Sequence, residues 1–153
     1  MQYYDFNGDS FESQTEKMIS GGVVSDKELS SVDVSRIKAA AVGVAEKIAG
    51  KTFLTEKEFT VNAPANIVFD VKTEENVLLQ GVIDLIVIDE DKGEAEIVDY
   101  KYSVLSPVAL KEKYAKQLFL YAFAVNKILN KKVTKTTLVN LYRGEITEVK
   151  TPV

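Results

Sequence analysis

The sequence contains neither cysteine nor histidine among its 153 residues. Without cysteine there can be no disulfide framework, thiolate zinc site or iron–sulfur cluster, and the chain suits a reducing cytosol. Without histidine, a Ser–His triad, a histidine general base and histidine metal ligands are all excluded within this chain. Any catalysis must therefore use carboxylates, lysines and tyrosines, with or without a hard metal ion.

Several other features are also missing. No apolar run approaches the roughly 20 residues of a membrane helix, and the N-terminus lacks the basic and apolar segments of a signal peptide. The phosphate-binding pattern G-x-x-x-x-G-K-[ST] is absent, so this chain is not expected to bind ATP through a P-loop. The net charge of −4 and the pI near 5.0 are not those of a strongly basic nucleic-acid binder. We expect a cytoplasmic protein with no membrane partner.

Hydrophobic periodicity predicts helices first, then strands, then a long helix and two final strands. We expect a single domain over residues 1–153, with a helical part at 1–50 and a sheet-and-helix core at 51–153. Its fold class is α/β, with a mixed central β-sheet flanked by helices. The expected helices cover 12–20, about 31–49 (capped by Ser31 or Asp33) and 108–130. The expected strands cover 52–62, one or two segments within 67–89, 95–103, 131–144 and 145–150.

The stretch from Gly81 to Ser103 reads as an apolar β-hairpin that contains three charges in unusual places. Asp84 interrupts the first arm, and Asp99 and Lys101 interrupt the second. Charged side chains seldom enter buried strands without a reason. Strand alternation puts Asp99 and Lys101 on one face, and puts Asp84 on the face of Val82, Ile86 and Ile88. Pairing around the 89–94 turn brings Asp84 towards Asp99.

Two readings of these charges are open. In the first, the two carboxylates and the backbone carbonyl of Tyr100 form an oxygen-rich half-shell, which suits Mg²⁺ or alternatively Mn²⁺. Lys101 then orients a water or steadies a phosphate. In the second, Asp99 and Lys101 are a structural ion pair that merely neutralises itself.

The long helix offers further candidates on one face. Gln117 lies between Tyr114 and Tyr121 in a mainly apolar stripe that also includes Leu118 and Val125. Gln117 either bonds to backbone at the edge of the stripe or reaches, with a tyrosine hydroxyl, towards the charged hairpin. Glu56 in the first strand is expected to be solvated, although it could instead join the site.

These residues together resemble a known motif. The segments "GVIDLI", "IVDYK" and "YAKQLFLYAFAV" are similar to the RecB-type nuclease motif of the PD-(D/E)xK superfamily, roughly G-x-I-D, D-Y-K-T and Y-x-x-Q-L-x-x-Y. Nearly the whole chain resembles the C-terminal nuclease domain of the AddA subunit of bacterial AddAB helicase–nucleases. The resemblance implies a restriction-endonuclease-like core and Mg²⁺-dependent cleavage of single-stranded DNA during double-strand-break processing.

The resemblance also implies residue roles. Asp84 and Asp99 correspond to metal-binding acids, Lys101 to the catalytic lysine, and Gln117 and Tyr121 to a pair that supports the site and contacts DNA. Glu56 corresponds to an acid of uncertain role in the first core strand. The implied partners are single-stranded DNA, upstream helicase domains and an AddB-type partner subunit, with no zinc and no iron–sulfur cluster.

Two departures from the family pattern bear on activity. Tyr102 stands where the motif has Thr. Because neighbouring residues of a strand point to opposite faces, its side chain is expected to point away from that of Lys101. The family's G-T-x-x-H element, whose histidine is a further metal ligand, is not in this chain, which is therefore expected to be a fragment of a larger helicase–nuclease or a natural remnant. Impaired activity is expected, and a catalytically inactive module with a structural or protein-binding role is the alternative. A stand-alone exonuclease of the superfamily is a third hypothesis.

Overall fold

The computed structural model describes residues 4–150. These residues form a five-stranded mixed sheet in the order β1-β2-β3-β4-β5, in which β3 and β4 are parallel and the other neighbours are antiparallel. Helices flank the sheet on both faces, so the expected fold class is confirmed. The helices are α1 (Phe11–Ser20), α2 (Asp26–Ser30), α3 (Val34–Ile48), α4 (Ala65–Phe69) and α5 (Pro107–Leu129). The strands are β1 (Thr52–Pro64), β2 (Asn76–Asp89), β3 (Glu94–Lys101), β4 (Lys132–Asn140) and β5 (Glu145–Val149).

The two main helices begin where capping residues predict. Asp33 caps α3 by accepting hydrogen bonds from the backbone N–H groups of Ser35 and Arg36, which settles the choice between Ser31 and Asp33. Ser106 caps α5, and Pro107 occupies its first turn, where a missing N–H costs nothing. The helix α2 was not anticipated, although Ser25 and Glu28 form a capping box at its start.

One segment differs from the expectation. Residues 65–69 form the unexpected short helix α4, and β2 is then the one strand, of the one or two expected within 67–89. Pro64 is the last residue of β1 rather than a residue beyond it. Strand β1 is at the edge of the sheet, where a proline without an N–H is tolerated.

The sheet separates two apolar layers. On one face α3 packs Ala40 and Val44 against Leu85, Val87 and Val98. On the other face α5 covers two groups of buried residues. They are Phe59, Val61, Ile83, Ile86, Ile88, Ala95, Ile97, Ala122, Ala124 and Val125 in one group, and Leu110, Leu118 and Leu138 in the other. Because both faces are covered, the central strands are almost continuously apolar, which makes their few charged residues conspicuous.

Candidate nuclease site

Strands β2 and β3 stop pairing at the three charges of the hairpin. Their last paired residues at this end are Leu85 and Val98, whereas β1 remains paired with β2 as far as Asn76. Strand β3 continues beside β4 to Lys101. The two central strands therefore part between Asp84 and Asp99, and the backbone groups there lose their ladder partners.

The side chain of Asp84 replaces part of that lost ladder. Its Oδ2 accepts a hydrogen bond of 2.7 Å from the backbone N–H of Tyr100. The arms therefore approach each other at the predicted place, with Asp84 bonded to the residue that follows Asp99. This bond holds one carboxylate of the first arm against the second arm, beside the Tyr100 backbone whose carbonyl we expected to contribute an oxygen.

The expected face of Asp84 needs a correction. Simple alternation puts Val82 with Ile86, but Ile83 packs in the same α5-side core as Ile86, and Val82 is exposed. The alternation breaks where Glu56 of β1, which stands opposite Asp84, adopts a positive φ of 48°. The break rotates both strands, so that residues on either side of Asp84 follow different face patterns.

Asp99 and Lys101 form the predicted ion pair. The Nζ of Lys101 contacts Oδ2 of Asp99, whose side chain is only 2% exposed. Within the described chain this Oδ2 receives no well-directed hydrogen bond. Burial raises the pKa of the Asp99 carboxyl, the nearby charge of Asp84 adds to the rise, and the Lys101 ammonium opposes it. The pair is therefore an electrostatically costly arrangement rather than a fully satisfied one.

Helix α5 completes the surroundings of Lys101. The Lys101 Nζ lies 4.5 Å from the ring centroid of Tyr114, a cation–π contact. One helical turn further on, the side-chain amide of Gln117 donates a 2.8 Å hydrogen bond to the hydroxyl of Tyr121. Gln117 thus bonds to a neighbouring side chain of the same helix, and within residues 4–150 it makes no hydrogen bond to backbone; its reach towards the hairpin charges stays a prediction.

The hydroxyl of Tyr121 remains available as a donor. Burial raises the pKa of this phenol, and the charges of Asp99 and Asp84 raise it further, against the opposing hydrogen bond from Gln117. A phenol that stays protonated can donate its O–H while accepting from Gln117. Its electrostatic coupling to both aspartates puts Tyr121 in the same neighbourhood as the hairpin charges.

Glu56 stays at the margin of this group. Its side chain is exposed, as expected, but its charge and that of Asp84 add to the effect of burial in raising the pKa of Tyr100. Among the described residues, the Tyr100 hydroxyl is buried without a hydrogen-bond partner. Glu56 therefore lies near the candidate site without contacting Asp99 or Lys101 in any recorded hydrogen bond or ion pair.

The donor set fits a hard divalent cation. Two carboxylates converge with a buried, underused oxygen on Asp99, and Mg²⁺ typically takes one or two carboxylates and keeps waters elsewhere. Across residues 4–150, no group of three or more acidic, histidine or cysteine side chains could enclose a metal. Asp84 and Asp99 could therefore supply only part of a cation's ligands, and waters or a phosphate would have to supply the others.

Two residues near the site were not singled out by sequence reasoning. Asn140, 2% exposed at the end of β4, bonds through its side chain to both backbone groups of Ser103. Tyr114 was placed on the correct helix face but given no role. The one sequence feature that indicates Asn140 is its position, since it is an amide residue at the end of a strand of mostly buried residues.

Comparison with known proteins gives the family. A profile of the PD-(D/E)XK nuclease superfamily matches residues 10–151, and the chain belongs to that superfamily. The chain is 28% identical to the A subunit of the ATP-dependent helicase/nuclease of Acetivibrio thermocellus, over 95% of its own length and 12% of that protein's. It is 32% identical to the protein of the same name from Carboxydothermus hydrogenoformans, over 88% of this chain and 12% of that one.

The resemblance noted from the motifs is thereby confirmed, because these relatives are AddA-type proteins. The chain spans only about an eighth of their length. A crystal structure of the protein SSO0001 aligns with 94% of this chain and 61% of its own, with a TM-score of 0.46 and 18% identity. That likeness is too distant to carry an argument. No helix in the described part of the chain is long and apolar enough to cross a membrane.

Proposed function

We propose that this chain is the nuclease domain of an AddA-type helicase–nuclease and hydrolyses phosphodiester bonds of single-stranded DNA, with impaired activity when it is separated from the rest of that protein. One observation carries the proposal. In a chain that matches a nuclease superfamily over residues 10–151, Asp84, Asp99 and Lys101 meet where two central strands separate. A phosphate would have to enter where the ladder between these strands has ended, which a continuous ladder would not allow.

Asp84, Asp99 and the backbone carbonyl of Tyr100 would hold Mg²⁺, or Mn²⁺ in its place. Members of this superfamily generally use such divalent metals. The bound ion would polarise the phosphate and lower the pKa of a water. Asp84 accepts the Tyr100 N–H on its Oδ2, so its Oδ1 would be the oxygen that serves as a ligand.

Lys101 has the position and charge for a catalytic lysine. The ring of Tyr114 contacts its ammonium through a cation–π interaction, and the carboxylate of Asp99 also contacts it. An ammonium held between an anion and a ring can shift towards an incoming phosphate without a large loss of side-chain freedom. Its role would be to orient the attacking water and to offset developing negative charge.

Gln117 and Tyr121 would act as supports that contact DNA. The Gln117 amide fixes the Tyr121 hydroxyl oxygen, so the phenolic O–H is free to donate to a phosphate oxygen. The raised pKa of Tyr121 keeps that proton in place at neutral pH. Glu56 has a secondary role at most, through its charge near Tyr100.

The names of the relatives support a wider setting for this domain, which is part of the proposal. We place residues 1–153 as one nuclease domain of a longer chain that has helicase domains and pairs with an AddB-type partner. It would act in the cytoplasm during repair and recombination of double-strand breaks. The relatives are named as one component of an ATP-dependent helicase/nuclease, and that name supports this setting.

The decisive test is cleavage of an end-labelled single-stranded oligonucleotide by the chain and its Asp99→Asn variant with Mg²⁺ or Mn²⁺. We expect the substitution to lower the rate about 100-fold or more, since a lost charge contact in the transition state is worth about 3 kcal/mol. Asp91→Asn, an exposed aspartate in the turn at the far end of the hairpin, is the matched control and should cleave normally. Measurable cleavage at the same rate by Asp99→Asn and the unmodified chain would refute the proposal.

The alternative is a nuclease-fold module without catalysis, with a structural or protein-binding role. The absence of histidine from the sequence and of a three-ligand cluster among residues 4–150 favour it. Calorimetry separates the two functions. If titration with Mg²⁺ and Mn²⁺ gives no heat of binding, and the chain cleaves no oligonucleotide, the module without catalysis is the better account.

A further inference from the structure

Two exposed tyrosines stand beside the candidate site, where β3 and β4 end. Tyr102 directly follows Lys101, and Tyr142 lies two residues beyond Asn140. Their ring centroids are 5.4 Å apart at an interplanar angle of 89°. The two residues remain 54% and 38% exposed, respectively. Large aromatic side chains contribute most to stability or binding when they are buried. A pair of rings exposed to solvent beside the candidate site therefore suggests a surface that a ligand covers.

The backbone that carries this pair is held rigidly. The buried Asn140 side chain accepts from the N–H of Ser103 and of Tyr142, at 3.2 Å each, and donates to the carbonyl of Ser103 at 2.9 Å. The Leu141 N–H also bonds to the carbonyl of Lys101 at 2.8 Å. One amide therefore fixes the segments that follow both strands, so the tyrosine pair is positioned before any ligand arrives.

Arg36 brings a guanidinium to the rings, and its Nε also pairs with the carboxylate of Asp33 at 3.2 Å. Arg36 of α3 lies 5.9 Å from the ring centroid of Tyr142 and donates a 2.9 Å hydrogen bond to the Tyr142 carbonyl. Lys101 is the chain neighbour of Tyr102 on the opposite face. Aromatic faces flanked by cations suit a polyanion whose bases stack on the rings while its phosphates meet the charges.

We propose that Tyr102 and Tyr142 form a stacking platform for unpaired bases of single-stranded DNA next to the scissile phosphate. This inference rests on the proposed nuclease function and specifies how its substrate is held. Lys101 and Tyr102 are adjacent in the chain, so their Cα atoms are about 3.8 Å apart. A DNA strand that crosses the end of β3 can therefore place a phosphate near Lys101 on one face of the sheet and a base on Tyr102 on the other. Bases within a duplex are already stacked and paired, so the platform favours unpaired strands.

The test compares two ligands of equal length and charge: a fluorescein-labelled oligo(dT) and the same sugar–phosphate strand with abasic sites. Binding is followed by fluorescence anisotropy in EDTA, which prevents metal-dependent cleavage. We expect Tyr102→Ala to weaken oligo(dT) binding about 10-fold, the effect of losing one base–aromatic stack. Binding of the abasic strand should not change, because it has no base to stack.

Three further variants make the result specific to stacking. Tyr102→Leu keeps apolar bulk without a ring and should behave as Tyr102→Ala does, whereas Tyr102→Phe should retain oligo(dT) affinity. Phe69→Ala is the control for an exposed ring, since Phe69 is 62% exposed. It lies in the short helix α4 and is not part of the Tyr102–Tyr142 ring pair, so its replacement should leave both affinities unchanged.

Several outcomes would overturn the platform. They are unchanged oligo(dT) affinity in Tyr102→Ala, equal losses on both strands, or no binding of oligo(dT) by the unmodified chain. If the tyrosine pair contacts a protein instead of DNA, Tyr102→Ala should leave the oligo(dT) affinity unchanged. The nuclease proposal fails separately, if Asp99→Asn cleaves normally, so the two failures are distinguishable.

Discussion

Asp99 has surroundings that disfavour its charged form, although the proposed chemistry requires that charge. Its carboxylate is buried at the end of an apolar strand, and one of its oxygens lacks a directed hydrogen bond within the described chain. Burial raises the pKa of the group more than Lys101 lowers it. The ionised form is therefore less favourable in the folded chain than in the unfolded chain, as is expected of a residue kept for a site rather than for the fold.

The Asp99→Asn substitution should therefore stabilise the metal-free protein at pH 7. A raised pKa in the folded state means that the carboxyl contributes most at low pH, and that this contribution is lost as pH rises through the folded pKa. Asparagine removes the loss. Urea unfolding in EDTA should show a higher free energy of unfolding for the variant at pH 7, and the difference should shrink as pH falls towards about 3.9.

The control for this measurement is Asp91→Asn, in which an exposed turn residue loses the same charge. It should change stability little at either pH. A variant Asp99→Asn that is less stable than the unmodified chain at pH 7 would mean that the ion pair with Lys101 stabilises the fold. The second reading of the Asp–Lys pair, as a structural salt bridge, would then be preferred.

At the scale of elements, the contact between β2 and α5 depends on Gly81. A Cβ at this position would lie 2.9 Å from Cζ of Phe59 and 3.7 Å from Cε1 of Tyr121. The two rings pack edge to face with centroids 5.8 Å apart. The glycine of the G-x-I-D motif thus makes room for Phe59, and Phe59 in turn supports the ring whose hydroxyl Gln117 fixes.

We expect Gly81→Ala to cost about 1–3 kcal/mol of stability, the usual effect of overpacking a core, and to displace Tyr121. Cleavage of oligonucleotide should fall with it, because the phenol moves away from the carboxylates. The double variant Gly81→Ala, Phe59→Leu relieves the clash and should recover part of both losses, a non-additive result. Strict additivity of the two substitutions in urea unfolding would contradict this account.

The elements differ in how well the sequence predicts them. The helix α5 and the hairpin β2–β3 follow from periodicity and from the turn at 89–94, so their bounds are close to those expected. The rotation of β1 and β2 at Glu56 and Asp84 was missed. A positive φ of 48° usually signals glycine or asparagine, and glutamate gives no such indication.

The same contrast applies to the site. Asp84, Asp99 and Lys101 could be selected because charge inside apolar strands is rare. Asn140 could not, because its importance lies in hydrogen bonds to Ser103, 37 positions away in the chain. Long-range backbone contacts of this kind depend on the parallel pairing of β3 with β4, which local patterns do not specify.

At the scale of the whole molecule, the sheet has two halves that meet imperfectly. Strand β1 pairs with β2 along its full length, and β3 pairs with β4, but the ladder between β2 and β3 ends at Leu85 and Val98. Beyond that point the Asp84–Tyr100 hydrogen bond is the recorded polar link between the halves. A cation held by Asp84 and Asp99 would add a second link, because each half contributes one carboxylate.

Divalent metal should therefore stabilise the whole domain and not only activate it. A ligand at a hundredfold excess over its Kd adds about 2.7 kcal/mol, which for a domain of this size raises Tm by about 5–10 °C. Calorimetric scans with Mg²⁺, against scans in EDTA with KCl at matched ionic strength, should show this rise for the unmodified chain and for Asp91→Asn. Asp84→Asn should lose most of it, since its half of the sheet no longer offers a charged ligand. An equal Mg²⁺-dependent rise in Asp84→Asn would place the cation elsewhere on the molecule and separate metal binding from the gap between β2 and β3.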